Sequence, residues 1–241
     1  MASKAALYPA QSGAHTFDSA LQSLTGRDLC SIADFTPSEI AAVLELAHRV
    51  KARPADFRWA LDARQLVMFF EKASLRTRLT FETAINTLGG SAIFVDQTQS
   101  PLGERESLYD MAHNLERWAS ILVLRTYAHD TITDMAQYAS VPVINALSDL
   151  EHPCQALADF MTLQERFGSL KGMHFTYVGD GNNVCHSLML TAAQLGMHVT
   201  VATPRNYAPK AELVALARAI GNVTGAHTTV INDPKIGRAH V

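Results

Sequence analysis

Three short stretches carry side chains suited to holding a small anion. Ser74-Leu75-Arg76-Thr77-Arg78 follows the apolar run Gln65-Leu66-Val67-Met68-Phe69-Phe70 and opens a helical pattern through Phe81, Ala84, Ile85 and Leu88. A helix start offers unpaired N–H groups and partial positive charge, which suits a phosphate. Ser74 and Thr77 add hydroxyl donors, and Arg76 adds a forked, permanently charged one. An ordinary capped helix with a solvated arginine accounts for the same residues. The loop is neither a Walker sequence nor GxGxxG, so it implies no nucleotide fold. Arg125-Thr126 directly follows the apolar run 121–124, and His152-Pro153-Cys154-Gln155 follows the run at 141–145. In parallel α/β sheets ligands gather at the carboxyl ends of strands, so Ser74, Arg76, Arg125, His152 and Gln155 would share one edge.

Each of these has a plainer reading. His152 alone reads as a structural histidine. Cys154 beside it could mimic a Cys–His pair, but near neighbours on a helix do not point at each other, which disfavours thiol chemistry. Gly179-Asp180-Gly181-Asn182-Asn183 is a strand-to-helix turn that could pass for a dinucleotide loop. Val184 stands where the third glycine would be, which disfavours NAD.

The elements that would position these groups alternate. Thr36-Pro37-Ser38-Glu39 reads as a capping box opening a helix with its buried stripe at Ile40, Val43, Leu44, Leu46 and Ala47. Strands are expected at 65–70, 91–95, 121–124 and 141–145, with helices between them beginning near Ser74, Ser107 and Thr131. A long helix from about Cys154 to Phe167 leads into strands at 174–178, 198–202 and 227–231, separated by helices at 184–195 and 209–219. This alternation predicts an α/β fold: two parallel-sheet, three-layer domains joined by a bridging helix. Residues 1–24 show no clear period and are read as a loose extension.

Composition sets the outer limits. The chain has 241 residues, 48% hydrophobic and 18% charged, with a formal net charge of −3. That fits a globular protein with a real core. No basic tract points to nucleic acid, and no apolar run approaches the roughly 20 residues that span a bilayer. The N-terminus lacks the apolar core of a secretory signal. Three cysteines, Cys30, Cys154 and Cys185, form neither a zinc pattern nor a disulfide framework, and a reducing cytoplasm is the simplest setting.

Taken in order, F-E-K-x-S-x-R-T-R, L-G-x-x-E-S, R-T, H-P-C-Q and G-D-G-N-N resemble the ornithine carbamoyltransferases over residues 29–235. The resemblance implies transfer of a carbamoyl group from carbamoyl phosphate to the δ-amino group of L-ornithine, giving L-citrulline and phosphate, without metal or organic cofactor. It implies a carbamoyl-phosphate site made of Ser74, Leu75, Arg76, Thr77, Arg125, His152 and Gln155, and an ornithine contact at Asn183. Arg125, His152 and Thr77 are the expected catalytic groups. They suit the negative charge that builds on the carbonyl oxygen, while Ser74 and Arg76 hold the leaving phosphate. A homotrimer is implied for the full-length protein. Other amine acceptors such as putrescine, and a non-catalytic anion-binding subunit, remain open alternatives, with a Rossmann-type oxidoreductase disfavoured.

The likeness also assigns domains: a carbamoyl-phosphate domain over 25–153, a bridging helix over 154–168 and a partial ornithine domain over 169–235. The sequence departs from the pattern at three places. Leu75 replaces the usual Thr of the phosphate loop. Pro101 stands where a Gln or His would reach a neighbouring subunit, a role that Arg105 could take. Beyond Asp233-Pro234 the motifs D-x-x-x-S-M-G and H-C-L-P do not follow. The final residues, Ile236–Val241, equal the translation of a common sequencing adapter and are expected to be non-native. The 241-residue chain is therefore expected to be inactive in citrulline formation, its second domain incomplete.

Overall fold

The computed structural model describes residues 14–98 and 102–233. The first element corrects the sequence reading. Ala14–Ser23, expected to be part of a loose extension, is a helix, α1. Phe17, Ala20, Leu21 and Leu24 recur at helical spacing, and Ala20 is buried. Ser23 Oγ and Arg27 Nη1 both donate to Glu39 Oε1, each at 2.7 Å. Glu39 lies in α2 (Pro37–Ala52), where it also completes the expected capping box with Thr36. The guanidinium of Arg49 lies 4.0 Å from the centre of the Phe17 ring. One carboxylate thus joins α1, the following turn and α2.

Gln65–Phe70 is β1, and five of its six residues are buried. Both faces are apolar, as a central parallel strand requires. It is followed by α3 (Leu75–Thr87), β2 (Ser91–Asp96), α4 (Leu108–Leu115), β3 (Ile121–Arg125), α5 (His129–Tyr138) and β4 (Val143–Leu147). All pairings are parallel, in the order β2-β1-β3-β4. Val67 and Phe69, with Leu122 and Leu124, face Ala112 of α4 and Ile132 and Met135 of α5. Leu66, Met68, Phe70 and Val123 face Ile85 of α3. The first domain therefore has the three layers predicted. β4 begins two residues later than expected. Pro142 has no N–H to give a ladder, and Val143 is the first residue after it whose N–H is used, donating to Asp28 Oδ1 at 2.8 Å.

α6 (Pro153–Phe167) bridges to the second sheet. Its Ala156 and Phe160 share one core cluster with Ile40 and Leu44 of α2 and with Leu188, Met189 and Ala192 of α7 (Asn183–Gln194). β5 (His174–Val178), β6 (His198–Ala202) and β7 (Thr228–Ile231) pair in parallel and in sequence order, with α8 (Ala211–Thr224) between the last two. Phe175, Tyr177, Val199, Val201 and Val230 face this shared core. His174 and Val178 are exposed on the opposite side. Among the described residues, then, the second sheet is covered by helices on one face.

Candidate functional site

The strand order decides where a ligand can sit. β1 is followed by β2 on one side, and the chain then crosses to β3 on the other side of β1. A crevice opens where the order reverses, outside the carboxyl ends of β1 and β3. The loop after β1 carries Ser74, and the last residue of β3 is Arg125. The register of β3 against β4 shifts between Leu124 and Arg125, so that Asn145 and then Leu147 are the partners. Such an irregularity re-aims the side chain that follows it.

Ser74 caps α3. Its Oγ accepts from Thr77 N at 3.4 Å and donates to Thr77 Oγ1 at 2.9 Å. Arg125 Nε donates to Lys72 O at 3.0 Å, tying the guanidinium to the loop between β1 and α3. His152 closes the cleft from the start of α6. Burial first, and then the charge of Arg125, push its pKa down to about 4, so the imidazole is neutral at pH 7. Its Nδ1 is buried with no hydrogen-bond partner. Burial pushes the Cys154 thiol up to about 12, and its Sγ lies 3.6 Å from Asn145 O. It is a poor nucleophile there, as the sequence reading expected.

Ser74, Arg76, Thr77, Arg125, His152 and Gln155 all line one cleft of about 410 Å³. Among the described residues two arginines and no carboxylate line it, a charge that suits an anion. Two residues of the predicted set stand apart. Leu75 is 73% exposed and does not line the cleft. Asn183 opens α7 outside it, and its Nδ2 donates to Ser148 O at 2.6 Å. Pro101 and residues 236–241 lie outside the described residues.

The structure also adds residues. Thr80 and Phe81 line the cleft one turn beyond Thr77. Glu71 is buried, and its two oxygens accept from Leu102 N at 3.0 Å and Tyr127 N at 2.9 Å. It fastens the polar loop and the segment after Arg125 to the end of β1. A carboxylate directly after five buried apolar residues was a visible signal, although its partners were not.

The glycine turn has a packing role. A Cβ on Gly181 would lie 2.1 Å from Pro209 N, and Gly181 N donates to Tyr207 O at 2.7 Å. The turn is filled by the chain itself, which removes the space a pyrophosphate would need. Among the described residues no group of three or more His, Cys, Asp or Glu is placed to hold a metal ion.

Known proteins resemble this chain in sequence and in fold. Residues 27–165 match the model of the aspartate/ornithine carbamoyltransferase carbamoyl-P binding domain, and residues 171–240 match that of the Asp/Orn binding domain. The chain is 50% identical over 202 residues to an ornithine carbamoyltransferase from Acidothermus cellulolyticus, a match covering 84% of this chain and 65% of the relative. It is 44% identical over 217 residues to one from Pyrococcus horikoshii, covering 88% and 68%. The solved ornithine carbamoyltransferase of Pyrococcus furiosus superposes with a TM-score of 0.85 at 42% identity, covering 88% of this chain and 68% of that one. The chain thus spans about two thirds of the length of these relatives. From its matched domains, its fold and its identity to these enzymes, the chain belongs to the aspartate/ornithine carbamoyltransferase family.

Proposed function

We propose that the cleft binds carbamoyl phosphate and that the protein transfers its carbamoyl group to the δ-amino group of L-ornithine, releasing L-citrulline and phosphate. The observation that carries this reading is the convergence of the α3 N-terminus, two arginines and a neutral histidine at the point where the strand order reverses. Ser74, Arg76 and the amides at the start of α3 hold the phosphate. Arg125, the Thr77 hydroxyl and an N–H of the neutral His152 meet the carbonyl oxygen. The Gln155 carbonyl suits the carbamoyl NH₂.

The amine lone pair forms the new C–N bond, negative charge builds on the carbonyl oxygen, and the C–O bond to phosphate then breaks. The departing phosphate takes the electron pair and accepts the amine proton. No side chain need act as nucleophile, so positioning and electrostatics carry the step. Asn183 would serve ornithine from the second domain, and its hydrogen bond to Ser148 holds it beside the loop that ends at His152. A homotrimer and a cytoplasmic setting belong to the same reading. Among the described residues no helix is long and apolar enough to cross a membrane.

Two measurements test it. Phosphonoacetamide, which replaces the bridging oxygen of carbamoyl phosphate by CH₂, should bind the 241-residue chain more tightly than inorganic phosphate does. Equal affinities would sink the carbamoyl-phosphate site. For the acceptor, the chain can be joined after Asp233 to the remaining third of the Acidothermus relative and supplied with carbamoyl phosphate. Citrulline from ornithine is expected, whereas carbamoylputrescine formed in preference from putrescine would replace the acceptor.

A further inference from the structure

We infer that Glu151 is a positioning residue, which works through Ser187 to hold His152 and the start of α7 as one body. The inference rests on the carbamoyl-phosphate reading of the cleft. Glu151 is fully buried, and every group bonded to its carboxylate is neutral. Ser31 Oγ donates a short hydrogen bond to Oε1, Ile32 N donates to Oε2 at 3.2 Å, and Ser187 Oγ donates to Oε2 at 2.9 Å. Ser187, also fully buried, accepts in turn from His152 N at 2.9 Å. The carboxylate thus orients a hydroxyl whose lone pair holds the backbone of the histidine in the cleft.

The same loop is held at its other end. Ser148 N donates to Glu151 O at 2.9 Å, and Glu151 N donates to Ser148 Oγ at 3.2 Å, closing a tight turn over 148–151. Asn183 Nδ2 donates to Ser148 O at 2.6 Å. Asn183 and Ser187 are four residues apart on α7 and therefore share one face. That face grips the turn at Ser148 and again at His152. A carboxylate buried without a cation is costly, and a well-packed apolar residue would stabilise the fold as well or better. What the carboxylate supplies is direction: it draws the segment before α2, the loop before α6 and the first turns of α7 to one point. None of these contacts reaches the cleft, so Glu151 and Ser187 act on the ligand only through His152.

The test compares two ligands on the 241-residue chain. Inorganic phosphate reports on the loop at Ser74 and Arg76, whereas phosphonoacetamide also requires the groups around its carbonyl. Histidines are labelled with ¹³C, and the His152 signal is assigned by its absence in His152→Gln. Loss of one oriented hydrogen bond predicts that Ser187→Ala and Glu151→Leu weaken phosphonoacetamide about tenfold, leave phosphate within about twofold and move the His152 resonance. Glu151→Gln keeps one acceptor oxygen for Ser187 and should restore affinity to within about threefold of the parent. Equal weakening of both ligands, or an unmoved His152 resonance with undiminished preference for phosphonoacetamide, overturns the inference. Should Ser187→Ala and Glu151→Leu fail to fold by far-ultraviolet circular dichroism, Ser187→Cys decides, because a thiol is a weak acceptor for His152 N: weaker phosphonoacetamide binding with a displaced His152 signal supports the inference, and parent-like binding with an unmoved signal overturns it. A parent chain that binds both ligands equally instead sinks the site reading, and this inference with it.

Discussion

The two sheets present opposite situations. The first is covered on both faces, by α4 and α5 on one side and α3 on the other, and its ligand edge gathers six of the seven residues expected for carbamoyl phosphate. The second is covered on one face among the described residues, and the residue expected for ornithine, Asn183, is tied to Ser148 and not to an open cleft. A site built on short loops after doubly buried strands is rigid because the strands cannot shift without opening the core. The difference teaches that the anion cleft is lined by loops of the first sheet together with the start of α6, whereas Asn183, the group proposed for the amine, meets it only through the loop at Ser148.

The comparison can be broken most directly at Arg125. In the fusion protein described above, Arg125→Ala should lower carbamoyl transfer by roughly 10²–10³-fold, as loss of one preorganised oxyanion donor does. The melting temperature should stay within about 2 °C, since the side chain is at the cleft and not in the core. Near-normal turnover would refute its assignment. Core packing gives the next largest effect. Leu124→Ala, in the two-sided sheet, should cost about 2–5 kcal/mol in urea unfolding. Val178→Ala, on the open face of the second sheet where the side chain is 63% exposed, should stay within about 0.5 kcal/mol. Similar costs at both positions would remove the contrast.

Acidity sharpens the contrast further. The folded pKa of His152 is depressed to about 4 from 6.5, so the folded state resists the proton that the unfolded chain accepts. Its contribution to stability is complete above pH 6.5 and is lost as the pH falls towards 4. Glu151 runs the other way. Burial, the largest influence, raises its pKa despite three donors, so its contribution is complete below the ordinary 4.5 and is lost as the pH rises above it. Unfolding of the parent and of His152→Asn, followed from pH 7 to pH 4, should show the parent losing more stability on acidification. Parallel curves would contradict the buried neutral imidazole. A helix cap that does not line the cleft should affect stability modestly and binding not at all. Thr36→Ala, which removes the α2 cap, should cost about 1 kcal/mol and leave phosphonoacetamide binding unchanged.

Much of this arrangement was legible in the residues, for reasons that differ by element. β1 was found with its true ends because Arg64 and Glu71 bracket an unbroken apolar run. α2 was found because Thr36, Pro37 and Glu39 form a complete start signal. α1 was missed although Phe17, Ala20 and Leu21 carried its stripe, because small and polar neighbours diluted the period. The order of strands was not legible, since it depends on which side of β1 each crossover packs. In the cleft, permanently charged and motif-bearing residues such as Arg76, Arg125 and His152 could be named from sequence. Glu71 and Glu151 received no role, because their partners are backbone N–H groups and hydroxyls far along the chain, and no local spacing records such bonds. Leu75 was placed in the site for its backbone N–H at the start of α3; its side chain turns outward, to 73% exposure.

The central position of β1 also has a meaning in time. Gln65 at its start lies against Ser120 before β3, 55 residues further on. At a synthesis rate of roughly 5–20 residues per second, β1 leaves the ribosome on the order of 3–10 s before its β3 partner exists. Early in that interval the uncharged run Leu66-Val67-Met68-Phe69-Phe70 has neither partner strand, and after β2 emerges its other edge still waits for β3. Over those few seconds an unpaired edge of the nascent chain is open to capture by a chaperone or by another copy of itself.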